Sequence, residues 1–386
     1  MAHLLLLIII YVAFVSLGLP DGMLGVAWPA MRADWGQPLA ALGLLTLTLT
    51  VCSGLSSFYS GPILKRLGTG RVVMLSGFLT ALALLGFSVA PSLGFLLVLA
   101  IPMGLGAGAV DAGLNHFVAQ HYSSRHMSWL HGFWGLGATL GPVLMSAALA
   151  GEKGWSGGYQ MIGSIQLALA VVLWFALPLW QAQKQAAPSP DSLGEKPSPN
   201  EPVKSLALWL APLTFMLYVA AEMATGLWAA SILVEERHLS ATTAGLWLSG
   251  FYGALTAGRF ALGLFANQMG NRRMVRLGIA LAIAGAALFG VRGLEPIGPL
   301  AGLILLGMGC APIFPSLMHE TSTRFAPDLA RTVIGRQLAM AYVGSAVMPA
   351  ACGVLAQFAG LGAIMPCVLI LLLALFVATE WLNRIT

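Results

Sequence analysis

Three carboxylic acids, Asp21, Asp111 and Glu222, lie inside long apolar runs, away from turns and charge clusters. A charged side chain in hydrocarbon is costly, so acids placed this way face a protein interior or a water-filled path and mark function by default. An acid in such surroundings can exchange protons near neutral pH, and its oxygens accept hydrogen bonds from hydroxyl groups. Proton coupling and binding of a hydroxylated solute are therefore the chemistries open to these residues. The competing structural reading is a carboxylate bonded to nearby helix ends.

Further polar and aromatic groups could complete such a site. Asn115 follows Asp111 by one helical turn, Gln337 offers a second amide and His131 an imidazole, while Trp134, Trp228, Tyr252 and Tyr342 carry rings able to stack on a solute. Core packing and interfacial belts account for such rings equally well. His116, His121, His126 and His131 recur every five residues. Five residues turn a helix by about 500°, so these imidazoles do not share a face as metal ligands at i,i+4 would, and no metal site is expected. Gly154-Trp155-Ser156-Gly157-Gly158 fits the G-x-S-x-G pattern but lacks the strand–turn–helix context of a nucleophile elbow. No G-x4-G-K-[ST] run cradles a nucleotide phosphate. Cys52, Cys310, Cys352 and Cys367 have no paired spacing and read as small packing residues. Neither enzymatic chemistry nor a cofactor is expected.

The elements that must position these residues follow from composition. Of 386 residues, 58% are hydrophobic and 9% charged, against roughly 25% charged in soluble domains. A mean hydropathy of +0.85 completes the case for a polytopic membrane protein. Twelve apolar stretches, at approximately 4–30, 41–64, 72–90, 94–118, 128–150, 159–180, 206–232, 241–266, 274–291, 297–319, 331–356 and 361–382, are predicted to be transmembrane helices, since a bilayer core takes about 20 apolar residues per helix. The expected fold is all-α. With a cytoplasmic N-terminus, 14 of the 19 Lys and Arg residues fall on the inner side, 4 on the outer side, and Arg259 within a helix. That asymmetry predicts both termini in the cytoplasm and explains the net charge of +5 without a nucleic-acid partner.

The segment Gln181–Lys204 is rich in Pro, Ser and charge and reads as a disordered cytoplasmic linker. It separates a six-helix half at 1–180 from another at 205–386. The halves repeat one another. Gly61, Gly68 and Arg71 recur as Gly263, Gly270 and Arg273, and Gly104-x-Gly106 with Leu114-x-His116 recurs as Gly307-x-Gly309 with Leu317-x-His319. Gly137-x4-Pro142 matches Gly344-x4-Pro349, and Asp21-x3-Gly25 matches Glu222-x3-Gly226. A duplicated six-helix half is the layout of secondary transporters, with a central site between the halves.

These features resemble the major facilitator superfamily over essentially the whole chain. The loop GPILKRLGTGR is similar to that superfamily's G-x3-D-[RK]-x-G-x-[RK] signature, with Lys65 at the acidic position and Asn267 in the second copy. The resemblance assigns a gating-loop role to Gly61, Lys65, Arg66, Gly68 and Arg71, and in the second copy to Arg259, Gly263, Gly270 and Arg273. Within the superfamily, Leu19-Pro20-Asp21, Asp111-x3-Asn115, Gly258-Arg259-Phe260 and Ile313-Phe314-Pro315 resemble motifs of the fucose permease-like sugar–proton symporters. Trp134 stands where that group has an Asn. The resemblance implies a monomeric inner-membrane transporter of bacterial type, embedded in lipid. It would carry a small neutral solute, hexose-like, with a proton; sodium is the alternative coupling ion. A proton-driven exporter of drugs or metabolites is the alternative function on the same fold. Asp21 and Glu222 are expected to mark points where their helices break or bend during alternating access, bringing both carboxylates to the central solute, because Pro20 and Gly22 flank the first acid and Thr225 and Gly226 follow the second.

Overall fold

A computed structural model describes residues 2–122, 124–180, 206–294 and 296–386. The linker predicted at 181–204 lies outside the described residues. The chain folds as two compact units, Met1–Leu193 with Leu239–Ser249 and Gly194–His238 with Gly250–Thr386.

Every described element is helical, because a chain in hydrocarbon must satisfy its backbone internally. In unit 1 the helices are α1 (Ala2–Trp35), α2 (Ala40–Phe58), α3 (Ser60–Leu67), α4 (Thr69–Ser88), α5 (Leu93–His121), α6 (Ser124–Leu149) and α7 (Gly154–Phe175). The later helices are α8 (Ala207–Ser231), α9 (Ala241–Met269), α10 (Asn271–Gly290), α11 (Ile297–Cys310), α12 (Ile313–Arg324), α13 (Pro327–Ala359) and α14 (Ile364–Ile385). Eleven spans among the described residues are long and apolar enough to cross a membrane. The predicted eighth, α9, is 29 residues long but is not among them; Thr242, Thr243, Ser249, Thr256 and Arg259 lower its hydropathy. The predicted tenth span is α11 and α12 in series. Pro312, which has no backbone N–H, stands at the junction.

Within unit 1, α1 packs on α6, α4 on α7, and α5 on both α2 and α4. Within unit 2, α8 packs on α13 and α14, and α10 on α11. The internal repeat reappears in these contacts. A Cβ on Gly104 of α5 would strike the carbonyl oxygen of Leu49 on α2, and one on Gly307 of α11 that of Phe251 on α9. Likewise Gly106 approaches the Ser76 carbonyl and Gly309 the Gly278 carbonyl; Gly137 approaches Val15 and Gly344 approaches Met216. The partners are displaced by 251 − 49 = 202, 278 − 76 = 202 and 216 − 15 = 201 residues. Small residues at these crossings let helix backbones come close enough to exclude side chains.

The loop glycines repeat too. Gly68 has φ 80°, ψ 151° and Gly270 has φ 75°, ψ 142°. This region is essentially open only to glycine. Each glycine then starts the next helix by accepting an amide at 3.2 Å, from Val72 and Met274 respectively. At the other end of unit 2, Glu236 accepts the Gly362 N–H at 2.9 Å and pairs with Arg292 at 3.2 Å. Arg237 caps α10 by donating to the Phe289 carbonyl at 2.9 Å.

α1 remains helical through Pro20 and Asp21, and α8 through Glu222, with a π turn only at Ile232–Glu236. Both acids therefore sit in continuous helix in this one conformation, whereas the break or bend expected of them is a change between conformations. In hydrocarbon the freed backbone groups have no better partner than the helix itself. Gly22 serves contact instead, as its missing Cβ would lie 2.7 Å from Pro142.

Candidate functional site

Unit 1 gathers the first group of predicted residues. Asp21 on α1 is exposed, and its Oδ2 accepts the Trp134 Nε1–H from α6 at 2.8 Å. Asp111 on α5 is half-buried and lies within electrostatic reach of Asp21. One turn on, the Asn115 amide donates to Asp111 Oδ1 and to the Asp111 carbonyl, both at 2.9 Å. The spacing Asp111-x3-Asn115 is thus an i,i+4 pair on one helix face. His131 meets Phe14 of α1 edge-on at 5.9 Å, one turn before Trp134. α1, α5 and α6 together present two acids with an indole N–H and an amide arranged around them. Such a set can accept hydroxyl protons, donate to a solute oxygen and hold a proton.

Three of the four histidines make different nearest contacts. His121 stacks on Phe117 with ring centroids 4.2 Å apart, His126 pairs with the Tyr11 hydroxyl at 2.7 Å, and His131 lies against Phe14.

Unit 2 treats its acid differently. Glu222 on α8 is buried, and Arg259 of α9 brings Nη2 to 3.8 Å from Glu222 Oε1. Tyr218, one turn before Glu222, lies within electrostatic reach of that carboxylate, and its hydroxyl stands 3.5 Å from Arg259 Nη2. Cys310, the last residue of α11 before the junction at Pro312, lies within electrostatic reach of both charges. Arg259, assigned above to the gating loop, is therefore a counter-ion in mid-helix. The signal that could have found it was available, since an intramembrane cation needs a partner and three acids were on offer. Tyr218 was missed altogether, although it sits four residues before Glu222 on the same face.

Of the remaining predicted solute contacts in unit 2, Trp228, Tyr252 and Gln337 are buried. Trp228 is fully buried and donates Nε1–H to the Pro349 carbonyl at 3.0 Å, so it offers a solute no open face in this conformation. Tyr252 is buried with its hydroxyl against Gly226, which explains Glu222-x3-Gly226: any Cβ there would collide with that oxygen. Gln337 is buried and donates to Thr321 Oγ1 at 2.8 Å. Tyr342 is half-buried on α13. Gly61, Lys65, Arg66, Arg71 and Arg273 are exposed around the inter-helix loops. The surroundings of residues 262–268, Gly263 and Asn267 among them, lie outside the described residues.

Comparison with known proteins agrees with this architecture. An uncharacterized MFS-type transporter of Yersinia pestis is 25% identical over 365 residues, covering 92% of this chain and 90% of that one. A gallate transporter of Pseudomonas putida is 24% identical, covering 84% of this chain and 78% of its own length. Among solved structures, a bacterial homolog of the human lysosomal transporter Spinster superposes with a TM-score of 0.76 at 12% identity, covering 100% of this chain and 97% of the other. The Major Facilitator Superfamily profile matches twice, at residues 10–221 and 210–384, in keeping with the duplicated helix contacts. Membrane-spanning helices, repeated halves and both profile matches lead to one family: the chain is a multi-pass membrane transporter of the major facilitator superfamily.

Proposed function

We propose that the protein carries a small hydroxylated solute with a proton by alternating access, and that the solute is neutral and hexose-like. The observation that carries this reading is the charge set within the spans. Away from the span ends, the described spans of unit 1 hold Asp21 and Asp111 and no Lys or Arg, while in unit 2 the one guanidinium, Arg259, is held by Glu222. An interior richer in acid than in base disfavours an anionic solute and suits a neutral one whose hydroxyls donate to carboxyl oxygens. Asp21 and Asp111 are the accessible pair, so they are assigned solute binding and proton exchange. Glu222 is assigned the role of fixing Arg259. Asn115, His131 and Trp134 complete the solute contacts. The division into halves at 1–180 and 205–386, joined by a linker, is part of this proposal, as are an inner-membrane location and cytoplasmic termini.

The gallate-transporting relative favours a second reading, in which the solute is a hydroxylated aromatic acid and Arg259 receives its carboxylate. Proteoliposomes with an acidic exterior decide between them. Accumulation of a hexose with proton uptake supports the first reading, accumulation of gallate the second, and expulsion of solute against the proton gradient an exporter. Asp111→Asn is expected to abolish uphill accumulation and retain solute exchange, because an amide accepts hydrogen bonds but cannot cycle a proton. Undiminished accumulation by this variant would remove Asp111 from the coupling machinery.

A further inference from the structure

We propose that the surface formed by α3 and the start of α4 is a binding site for an anionic phospholipid, with its phosphate on Lys65, Arg66 and Arg71 and its acyl chains along α4. The helix α3, SGPILKRL, has two kinds of face. Leu64 turns inward, its Cδ2 lying 3.4 Å from where a Cβ of Gly113 on α5 would stand. Ile63 and Leu67 remain exposed beside exposed Lys65 and Arg66. Phe58 and Tyr59, immediately before α3, are 78% and 60% exposed. Aromatic rings, aliphatic side chains and cations held together at a helix end are the composition of a segment seated at headgroup level.

Two observations separate a lipid from any other anion. Arg71 begins a face of α4 on which Leu75, Leu79 and Leu82 follow at helical spacing, all exposed. A phosphate on Arg71 therefore has an apolar track running away from it into the bilayer, of use to acyl chains and of none to an inorganic ion. No carboxylate among the described residues pairs with the three cations either. Among the described residues the ion pairs are made by Arg259, Arg272, Arg276, Arg292 and Arg324, and none by Lys65, Arg66 or Arg71. The second copy of the loop differs here, because Asn267 and Gln268 stand at the positions of Lys65 and Arg66 and only Arg273, matching Arg71, is cationic; the neighbouring Arg272 and Arg276 are held by Glu320 at 3.1 Å and Glu380 at 2.6 Å. Lys65 occupies the position where the signature has an acid, which turns the first copy from a charge-balanced loop into a wholly cationic one. The site is thus confined to one copy of the repeat.

The test uses the full-length protein purified in neutral detergent and titrated with phosphatidylglycerol or phosphatidylcholine, with retained lipid counted by native mass spectrometry. Each cation near an anionic lipid surface contributes about fivefold in affinity, so the triple variant Lys65→Gln, Arg66→Gln, Arg71→Gln is expected to lose about a hundredfold for phosphatidylglycerol. Phosphatidylcholine binding is expected to stay as it was. Arg272→Gln with Arg276→Gln is expected to leave phosphatidylglycerol retention unchanged, and inorganic phosphate at equal concentration is not expected to displace the lipid. Equal retention of the two lipids by the wild type would overturn the proposal, as would displacement by inorganic phosphate. Should the triple variant fail to purify as a monodisperse species, Lys65→Gln alone, at an exposed position, must still lose about fivefold; unchanged retention there overturns the proposal equally.

Discussion

The Glu222–Arg259 pair gives the sharpest quantitative expectation. The two side chains are 5% and 14% exposed and their charged atoms are 3.8 Å apart. At that separation the Coulomb attraction is about 4 kcal/mol for an effective dielectric constant of about 20. Removing one member also strands the other, and breaking a buried pair this way costs about 3–5 kcal/mol. The two single variants are not equivalent. Glu222→Gln leaves a guanidinium that cannot shed its proton, so the full cost of about 3–5 kcal/mol applies. Arg259→Met leaves a carboxyl group, which unlike a guanidinium has a neutral form available, so it is expected to cost less than Glu222→Gln. The double variant Glu222→Gln, Arg259→Met is expected to lie closer to the wild type than Glu222→Gln does, with a coupling of about 2 kcal/mol. At about 2–4 °C per kcal/mol for a unit of this size, Glu222→Gln should melt roughly 6–20 °C lower. Cys310 and Cys352 are buried free thiols, so in a background with the half-buried Cys52 and Cys367 replaced by Ser a thiol-reactive fluorophore reports the unfolding. A Glu222→Gln variant melting within a degree of the wild type would refute the reasoning. So would a double variant whose loss equals the sum of the single losses.

Two further expectations concern the repeat and the exposed acid. Gly68→Ala and Gly270→Ala place a Cβ in a backbone region open essentially to glycine, and each should cost about 1–3 kcal/mol in thermal unfolding; equal melting of both variants with the wild type would argue against the loop geometry. Trp134→Phe keeps an aromatic ring but deletes the N–H that Asp21 accepts at 2.8 Å. Loss of one such bond, about 1.5 kcal/mol or more, should slow acid-driven uptake roughly tenfold, and an unaltered initial rate would assign Trp134 to packing alone.

Most of the scaffold was legible in the sequence because hydropathy is an average over about 20 residues and tolerates local error. The repeat was legible because its glycines keep fixed offsets. α9 shows the limit of that averaging: Arg259 and its hydroxyl-bearing neighbours dilute a helix whose polar atoms turn out to have internal partners, such as Thr256 Oγ1 on the Tyr252 carbonyl at 2.7 Å. Which way a side chain points was harder to read. In a soluble helix one polar face gives the rotation away, but α8 is apolar on nearly every side, so nothing in its sequence distinguished buried Trp228 from a cavity residue. Proline also reads differently in a membrane. In water Pro20 would end a helix, whereas in the bilayer the alternative to helix is an unsatisfied backbone, and α1 continues. The pairing of Asp111 with Asn115 was legible, being local; that of Asp21 with Trp134 spans 134 − 21 = 113 residues and depends on the packing of α1 against α6.

The paired glycine crossings also bear on how the chain tolerates mutation. Each helix contact that excludes a side chain has a counterpart about 200 residues away, so a map of tolerated substitutions should nearly superpose on itself when the sequence is folded at that offset. Gly104 should be as intolerant as Gly307, and Gly137 as Gly344. The chemistry should break that symmetry. By the same offsets Arg259 corresponds to Ser57, Trp134 to Ala341 and Lys65 to Asn267. Positions where the two halves of the map disagree are then those at which the ancestral duplicate diverged to acquire function, and they can be located by saturation mutagenesis without knowing the solute.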